Sequence, residues 1–101
     1  MTYATATILN AVSNGYLYGF DIVDITGLPG GTVYPALRRL EESGYLTSIW
    51  EKDRIAQAEL RPRRKYYELT RSGRRHLEAE EASWVRLSGA VNQVLLAGGR
   101  S

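Results

Sequence analysis

Apolar residues recur at helical spacing in three consecutive segments near the start of the chain. The spacing predicts a first helix over residues 4–13, a second over 17–26, and a third that begins near Thr32 and ends at Ser43-Gly44. Thr32 is the predicted N-cap of the third helix. The side chains predicted to face the core are Ile8, Leu9, Val12, Phe20, Ile22, Val23, Val33, Leu37 and Leu40.

An alternating pattern follows the third helix. It predicts two strands, over residues 45–50 and 64–69, that pair as a β-hairpin. The connection over residues 51–62 is polar and is predicted to be irregular. Because it is long for a hairpin, we expect a projecting, mobile tip.

The last segment predicts one long helix from about Arg71 to Leu96, with Thr70 as its N-cap. Its apolar residues follow an a/d heptad pattern, interrupted at Glu80 and Gly89. Such a helix would expose a large apolar stripe on an isolated chain, so we expect it to pair with a second copy. The predicted interface residues are Leu77, Trp84, Leu87, Val91 and Val94.

The order of these elements is helix, helix, turn, helix, two-stranded hairpin, long helix. It predicts a mainly α (α+β) fold, a winged helix-turn-helix with a two-stranded wing and a long C-terminal dimerisation helix. A length of 101 residues allows one such domain. We expect a DNA-binding domain over residues 1–70, then the dimerisation helix and a short tail over 71–101.

Positive charge is concentrated in one segment of the chain. The net charge is only +2, yet residues 61–75 carry seven basic side chains and one acidic side chain. A local basic stripe on a near-neutral chain is typical of an element that follows nucleic-acid phosphates. An ordinary solvated surface would have the same composition, so charge alone leaves both interpretations open.

Several classes of function lack their sequence signals. The chain has no cysteine and one histidine, so we expect no disulfide, metal or cofactor site. It contains neither a GxSxG nor a GxxxxGK[ST] motif, and the serines lack a nucleophile context, which favours a non-enzyme. No stretch approaches the ~18 apolar residues of a membrane span, and we expect a cytoplasmic protein without a signal peptide.

Three linked motifs resemble those of the PadR family of bacterial regulators. They are GYLYGFDI over residues 15–22, GGTVYPALRRLEESGYL over 30–46 and RPRRKYYELTRSGRRHL over 61–77. The single C-terminal helix is similar to that of the shorter subfamily. The resemblance implies a homodimeric repressor of a pseudo-palindromic operator, with the third helix in the major groove and the wing at an adjacent groove. Some members of that family release DNA when they bind a small aromatic molecule.

The third helix, the start of the second helix and the wing supply the candidate DNA contacts. The first turns of a recognition helix read bases, and arginine can bind guanine or phosphate. Other roles stay open: Tyr34 could cover the core, Arg38 could pair with Glu41 or Glu42, and Arg64 could hold the hairpin to the body. The candidates are Tyr18, Gly19, Gly31, Thr32, Tyr34, Pro35, Arg38, Arg39, Arg63, Arg64 and Lys65.

Trp84 is the candidate ligand contact. In the family that the chain resembles, some drug-sensing members carry a tryptophan at this place, and two copies line a flat pore at the dimer interface. The resemblance implies that Trp84 and its partner copy would stack on a planar aromatic effector. A buried packing tryptophan is the alternative. For the whole chain, the alternative function is a winged-helix module that binds an acidic protein partner.

Overall fold

The computed structural model describes residues 2–83. The order of its elements is α1 (Tyr3–Ser13), α2 (Gly19–Thr26), α3 (Gly30–Glu42), β1 (Leu46–Trp50), α4 (Asp53–Ala58), β2 (Lys65–Leu69) and a helix over residues 71–83, here α5. No helix of the described part is long and apolar enough to cross a membrane. The predicted positions Trp84, Leu87, Val91 and Val94, and the predicted end of the last helix, lie outside the described residues.

The core lies between the first three helices and the hairpin. The apolar stripes predicted for α1 and α3 are confirmed, because Ile8, Leu9, Val33 and Leu37 are fully buried. Burying each such side chain contributes about 1.5–3 kcal/mol. Phe20 was predicted to face inward, which is wrong: it is 74% exposed, and Ile22 occupies the inward position.

The second and third helices begin at different residues from those predicted. Tyr18 has an extended backbone and forms an isolated β-bridge with Tyr66, so α2 begins at Gly19 and not at residue 17. The predicted N-cap of α3 is also wrong, because Pro29 takes that place and the amide of Thr32 donates to the Pro29 carbonyl at 2.9 Å. Thr32 is therefore a residue of the first turn.

The hairpin has the predicted strands but a different connection. β1 and β2 are antiparallel, with Leu46 opposite Leu69 and Trp50 opposite Lys65. The connection is not irregular as predicted, because it contains the helix α4, and Ala56 of that helix is buried. The tip of the wing is thus a folded element.

Two contacts join α5 to the turn between α3 and β1. The predicted N-cap is confirmed: the Thr70 hydroxyl accepts from the Gly73 amide at 3.0 Å and donates to the Gly44 carbonyl at 2.6 Å. The rings of Tyr45 and His76 stack with centroids 4.4 Å apart. These contacts set the direction in which α5 leaves the domain.

Leu77, predicted at the dimer interface, packs within its own chain and also lines a groove between α1 and α5. Its side chain is buried in the core of its own chain. The first position of the heptad pattern therefore packs against the domain, because Thr70 and Gly73 seat the start of α5 directly on the Tyr45 turn.

At Gly73, the contact between α5 and the Tyr45 turn leaves no room for a side chain. A Cβ atom there would overlap the backbone carbonyl of Tyr45. We expect Gly73→Ala to lower the free energy of unfolding by about 1–3 kcal/mol, in spite of the better helix propensity of alanine. Chemical denaturation measures the change.

Gly31→Ala is the matched control, because a Cβ atom at Gly31 meets nothing within 4 Å and the residue is helical. It should be neutral or stabilising by up to about 1 kcal/mol. Equal effects of the two substitutions would contradict the packing of Gly73 on Tyr45.

Candidate nucleic-acid interface

The helix α3 divides into a buried face and an exposed face. Val33, Ala36, Leu37 and Leu40 are buried against the core. This burial places the candidate recognition residues on the other side, where Thr32 is half-buried and five others are exposed: Gly31, Tyr34, Pro35, Arg38 and Arg39. The structure thus brings together all of the α3 residues predicted from the sequence.

Tyr34 is held in place by two glycines. Its ring lies against Gly19, where a Cβ atom would overlap the ring, and within 3.6 Å of the Cβ position at Gly30. Gly19 was predicted from the sequence to contact DNA. In the structure the approaching group is the Tyr34 ring, and half of that residue remains exposed.

Glu41 connects α3 to the wing. It accepts a hydrogen bond from the Ser48 hydroxyl of β1, and Lys65 Nζ of β2 lies 3.3 Å from its other oxygen. The Ser48 hydrogen bond and the Lys65 ammonium hold the pKa of Glu41 below its ordinary value, against the opposing effect of burial. Since Glu41 binds Lys65, the alternative pairing of Arg38 with Glu41 is not observed.

Arg63 and Arg64 of the wing each have a partner within the chain. Arg63 Nε is 3.0 Å from an oxygen of Asp53, and both side chains are exposed. The guanidinium of Arg64 lies 4.1 Å from the centre of the Tyr18 ring, which in turn packs edge-on against Tyr66. Arg64 and Tyr18 therefore fasten the wing to the start of α2, as the alternative role for Arg64 proposed.

Arg61 and Glu51 form the most enclosed ion pair of the wing. Both terminal nitrogens of Arg61 donate to the Glu51 carboxylate, at 2.6 and 2.9 Å, and the Tyr66 hydroxyl donates to it at 3.1 Å. The Arg61 guanidinium lowers the pKa of Glu51 to about 2, although burial opposes this shift. Arg61 is thus a structural cation, in contrast to the exposed Arg63.

A cleft lies between the wing on one side and Tyr34 of α3 with the start of α2 on the other. Its volume is about 510 Å³, and its wall combines aromatic and basic side chains. Its lining includes Gly19, Tyr34, Trp50, Arg63, Arg64 and Lys65. Predicted DNA-contact residues from α2, α3 and the wing therefore surround one open space.

Sequence reasoning missed Trp50 as a residue of this surface. The indole faces the cleft from the end of β1, with Arg63 Cζ 5.4 Å and Lys65 Nζ 5.8 Å from its ring centre. The signal that could have found it is strand alternation. Ser48 and Trp50 share a face of β1, and Ser48 contacts α3.

The described residues contain no group of three or more His, Cys, Asp or Glu side chains that could hold a metal ion. The ligand candidate Trp84 lies beyond residue 83 and so outside the described part of the chain.

The Glu51 pair makes a pH-dependent contribution to stability. Because the pKa falls from 4.5 to about 2 on folding, the contribution is complete above pH 4.5 and is lost as the pH falls to about 2. We expect Glu51→Gln to lower the melting temperature at pH 7, and the difference from the unchanged protein to shrink at low pH. Thermal denaturation from pH 7 to pH 2 measures this.

Glu59→Gln is the matched control for that experiment. Glu59 also contacts Arg61, at 2.7 Å, but its side chain is largely exposed, so its contribution should be small. A difference between the Glu51→Gln variant and the unchanged protein that does not vary with pH would contradict the role of the ionised pair.

Comparison with known proteins agrees with the fold. A sequence profile of the transcriptional regulator PadR-like family matches residues 8–79. Comparison with curated protein sequences gave no significant match.

Three solved structures illustrate the similarity. A PadR family regulator from Clostridium difficile is 28% identical, with a TM-score of 0.80, and the match covers 93% of this chain and 99% of that one. A PadR-like regulator from Bacillus cereus is 28% identical, with a TM-score of 0.72 and coverage of 90% and 89%. A PadR family regulator from Eggerthella lenta is 30% identical, with a TM-score of 0.68 and coverage of 87% and 80%.

The family match extends from α1 through the wing into α5, and the matched structures cover most of the chain. These findings confirm the winged helix-turn-helix fold and the interpretation as a DNA-binding, non-enzymatic regulator. The chain belongs to the PadR-like family of transcriptional regulators.

Proposed function

We propose that this regulator is a homodimeric repressor that binds a pseudo-palindromic operator through α3 and the wing. The observation that carries the proposal is one cleft bordered by Tyr34 of α3, the start of α2 and the basic wing. A recognition helix and a wing that border one space can contact the major groove and the adjacent backbone together. As a bacterial DNA-binding regulator it would act in the cytoplasm.

Base recognition is assigned to Tyr34 and Arg38. Both lie on the exposed face of α3, and the packing of Tyr34 between Gly19 and Gly30 gives its ring a defined position. Arg38 has no ion-pair partner among the described residues, so its guanidinium is available for a guanine edge. Gly31, Thr32, Pro35 and Arg39 complete the proposed contact surface on this helix.

Phosphate contacts are assigned to the wing. Arg63 is the better placed of the wing cations, because its partner Asp53 is exposed and the pair is easily exchanged. Lys65 is half-buried and paired with Glu41, so its ammonium group extends less far toward a DNA phosphate than the Arg63 guanidinium. Tyr18 and Gly19 lie at the start of α2 on the wall of the same cleft, where the Tyr18 hydroxyl can reach a phosphate.

Dimerisation is assigned to α1 and the C-terminal segment. Ala6, Thr7 and Asn10 of α1 and Glu80 of α5 line a groove of about 410 Å³, and Tyr3 at its edge is largely exposed. The groove suits a helix of a second copy, and the heptad positions from residue 84 onward supply apolar side chains for it. Residues 71–101 are thus proposed as the dimerisation segment.

Ligand response is the remaining part of the proposal and rests on the family resemblance. A planar aromatic effector stacked between two copies of Trp84 would lower DNA affinity by linkage. Loss of the effector response in Trp84→Ala would support this role.

The function is tested by fluorescence anisotropy with DNA from just upstream of the gene, at two salt concentrations, against a scrambled duplex. We expect tight binding to the upstream DNA only. Arg38→Ala should weaken it by about 1–3 kcal/mol and reduce discrimination between the two duplexes. Lower transcription of a reporter behind that DNA would identify repression.

Arg74→Ala is the matched control, since it also removes one exposed positive charge but lies on α5, beside Val12 and Leu17. It should bind the operator like the unchanged protein. Absence of DNA binding by the unchanged protein at low salt would contradict the proposal and favour a protein partner.

The dimer is tested by analytical ultracentrifugation at micromolar concentration. We expect a dimer for the unchanged chain. Tyr3→Glu should shift it toward monomer, because a carboxylate would face an apolar interface beside Glu80 and Glu81. Ile25→Glu, at an exposed position on α2, should leave the dimer intact. A monomeric unchanged chain would contradict the assignment.

A further inference from the structure

Trp50 is a large apolar side chain at the surface whose packing is incomplete. The residue is 54% exposed, although its strand partner and the Tyr67 ring lie close by on the same wall of the cleft. Ile49, next to it on β1, is also exposed but points to the opposite face of the hairpin. Trp50 is thus the apolar group that the wing presents toward α3.

Two cations flank the indole. The Arg63 guanidinium and the Lys65 ammonium lie 5.4 and 5.8 Å from its ring centre, within the range of cation–π attraction. The ring therefore helps to position both charges at the mouth of the cleft. An occupant of this space meets an apolar surface and positive charge side by side.

Tyr34 faces the cleft from the other side, on α3. The lining of the cleft is mostly apolar, with Tyr34 and Trp50 on opposite sides, and its charged atoms belong to wing residues. A nucleic-acid strand has the matching arrangement, because its deoxyribose faces are apolar and its phosphates are anionic. The cleft is also open to solvent beside the proposed recognition helix, so a duplex on α3 would bring a backbone strand to it.

Asp53 supplies an anion at the same place in the free protein. Its carboxylate lies 3.0 Å from Arg63 Nε, and both side chains are exposed. An exposed pair of this kind is weak and exchanges readily with another anion. A DNA phosphate that binds Arg63 would therefore displace Asp53.

We infer that the cleft between α3 and the wing holds one backbone strand of the operator, with Trp50 against a deoxyribose and Arg63 on the adjacent phosphate in place of Asp53. The inference rests on the proposed function and adds a DNA-contact residue, Trp50, and a competing internal anion, Asp53. Sugar and phosphate contacts are independent of sequence. They should therefore raise the affinity for every duplex.

The first test uses tryptophan emission, to which Trp50 and Trp84 both contribute. Addition of unlabelled operator should change the emission of the unchanged protein, and this change should be largely lost in Trp50→Phe. Trp50→Ala should weaken binding to operator and to scrambled DNA by a similar factor, about tenfold. Arg38→Ala, in contrast, should reduce operator binding selectively.

Ile49→Ala is the matched control, because it removes an exposed apolar side chain from the other face of the same strand. It should bind DNA like the unchanged protein. If the unchanged protein binds its operator while Trp50→Ala binds equally well, the inference is wrong and the proposed function stands. If the unchanged protein binds no DNA, both are wrong.

The second test concerns Asp53. Asp53→Asn should raise affinity for both duplexes at low salt by about threefold, because Arg63 no longer has a competing carboxylate. The gain should vanish in an Arg63→Ala background, as a double-mutant cycle requires. Asp24→Asn removes an exposed carboxylate from α2 and should give no such gain. A gain that persists without Arg63 would overturn the exchange of Asp53 for phosphate.

Discussion

The shape of the wing depends on the carboxylate of Glu51. It binds Arg61 through two nitrogens, the Tyr66 hydroxyl and, at 3.4 Å, the backbone amide of Arg64. Glu51 directly follows β1, whereas all three partners come after α4, at the entrance to β2 or within it. An enclosed carboxylate must be neutralised and hydrogen-bonded, so it draws the connection together. The residues that follow Arg61 then enter β2 at a fixed place, with Arg63 and Lys65 beside Trp50.

The recognition surface joins elements that are distant in the sequence. Glu41 links the end of α3 to both strands of the wing, through Ser48 and Lys65. At the other end of the cleft, the Tyr34 ring lies against Gly19, and Arg64 lies over Tyr18. These non-covalent contacts hold α3 and the wing at a fixed distance from each other. A protein that contacts a groove and its flanking backbone together needs such a fixed separation.

The sequence predicted the elements whose patterns are long and regular. The apolar stripes of α1 and α3, the N-cap at Thr70 and both strands depend on local spacing, which is legible without a structure. The start of α2 was misplaced because it is set by the bridge from Tyr18 to Tyr66, a contact between residues 48 apart in the chain. Helix α4 was missed because six residues are too few to show a helical periodicity of apolar positions. Its place depends on the Glu51–Arg61 pair, which joins the two residues that flank it in the chain.

The candidate site was predicted by residue type but not by partner. The sequence indicated a basic wing, yet it could not show that Arg61 is committed to Glu51, Lys65 to Glu41 and Arg63 to an exchangeable Asp53. Pairing of this kind depends on tertiary distance. Tertiary pairing divides the wing cations into structural ones and ones available to DNA. It also places Arg63 and Lys65 beside Trp50, which makes the indole part of the candidate surface.

The central claim is that α3 and the wing together form the DNA-binding surface, whereas α1 and α5 serve dimerisation. The most direct measurement is an NMR titration of isotope-labelled protein with the operator duplex, which follows every backbone amide. The account predicts the largest chemical-shift changes in residues 30–39 and 50–65 and small changes in 3–10 and 71–83. Large changes confined to the second set, with α3 unaffected, would contradict it.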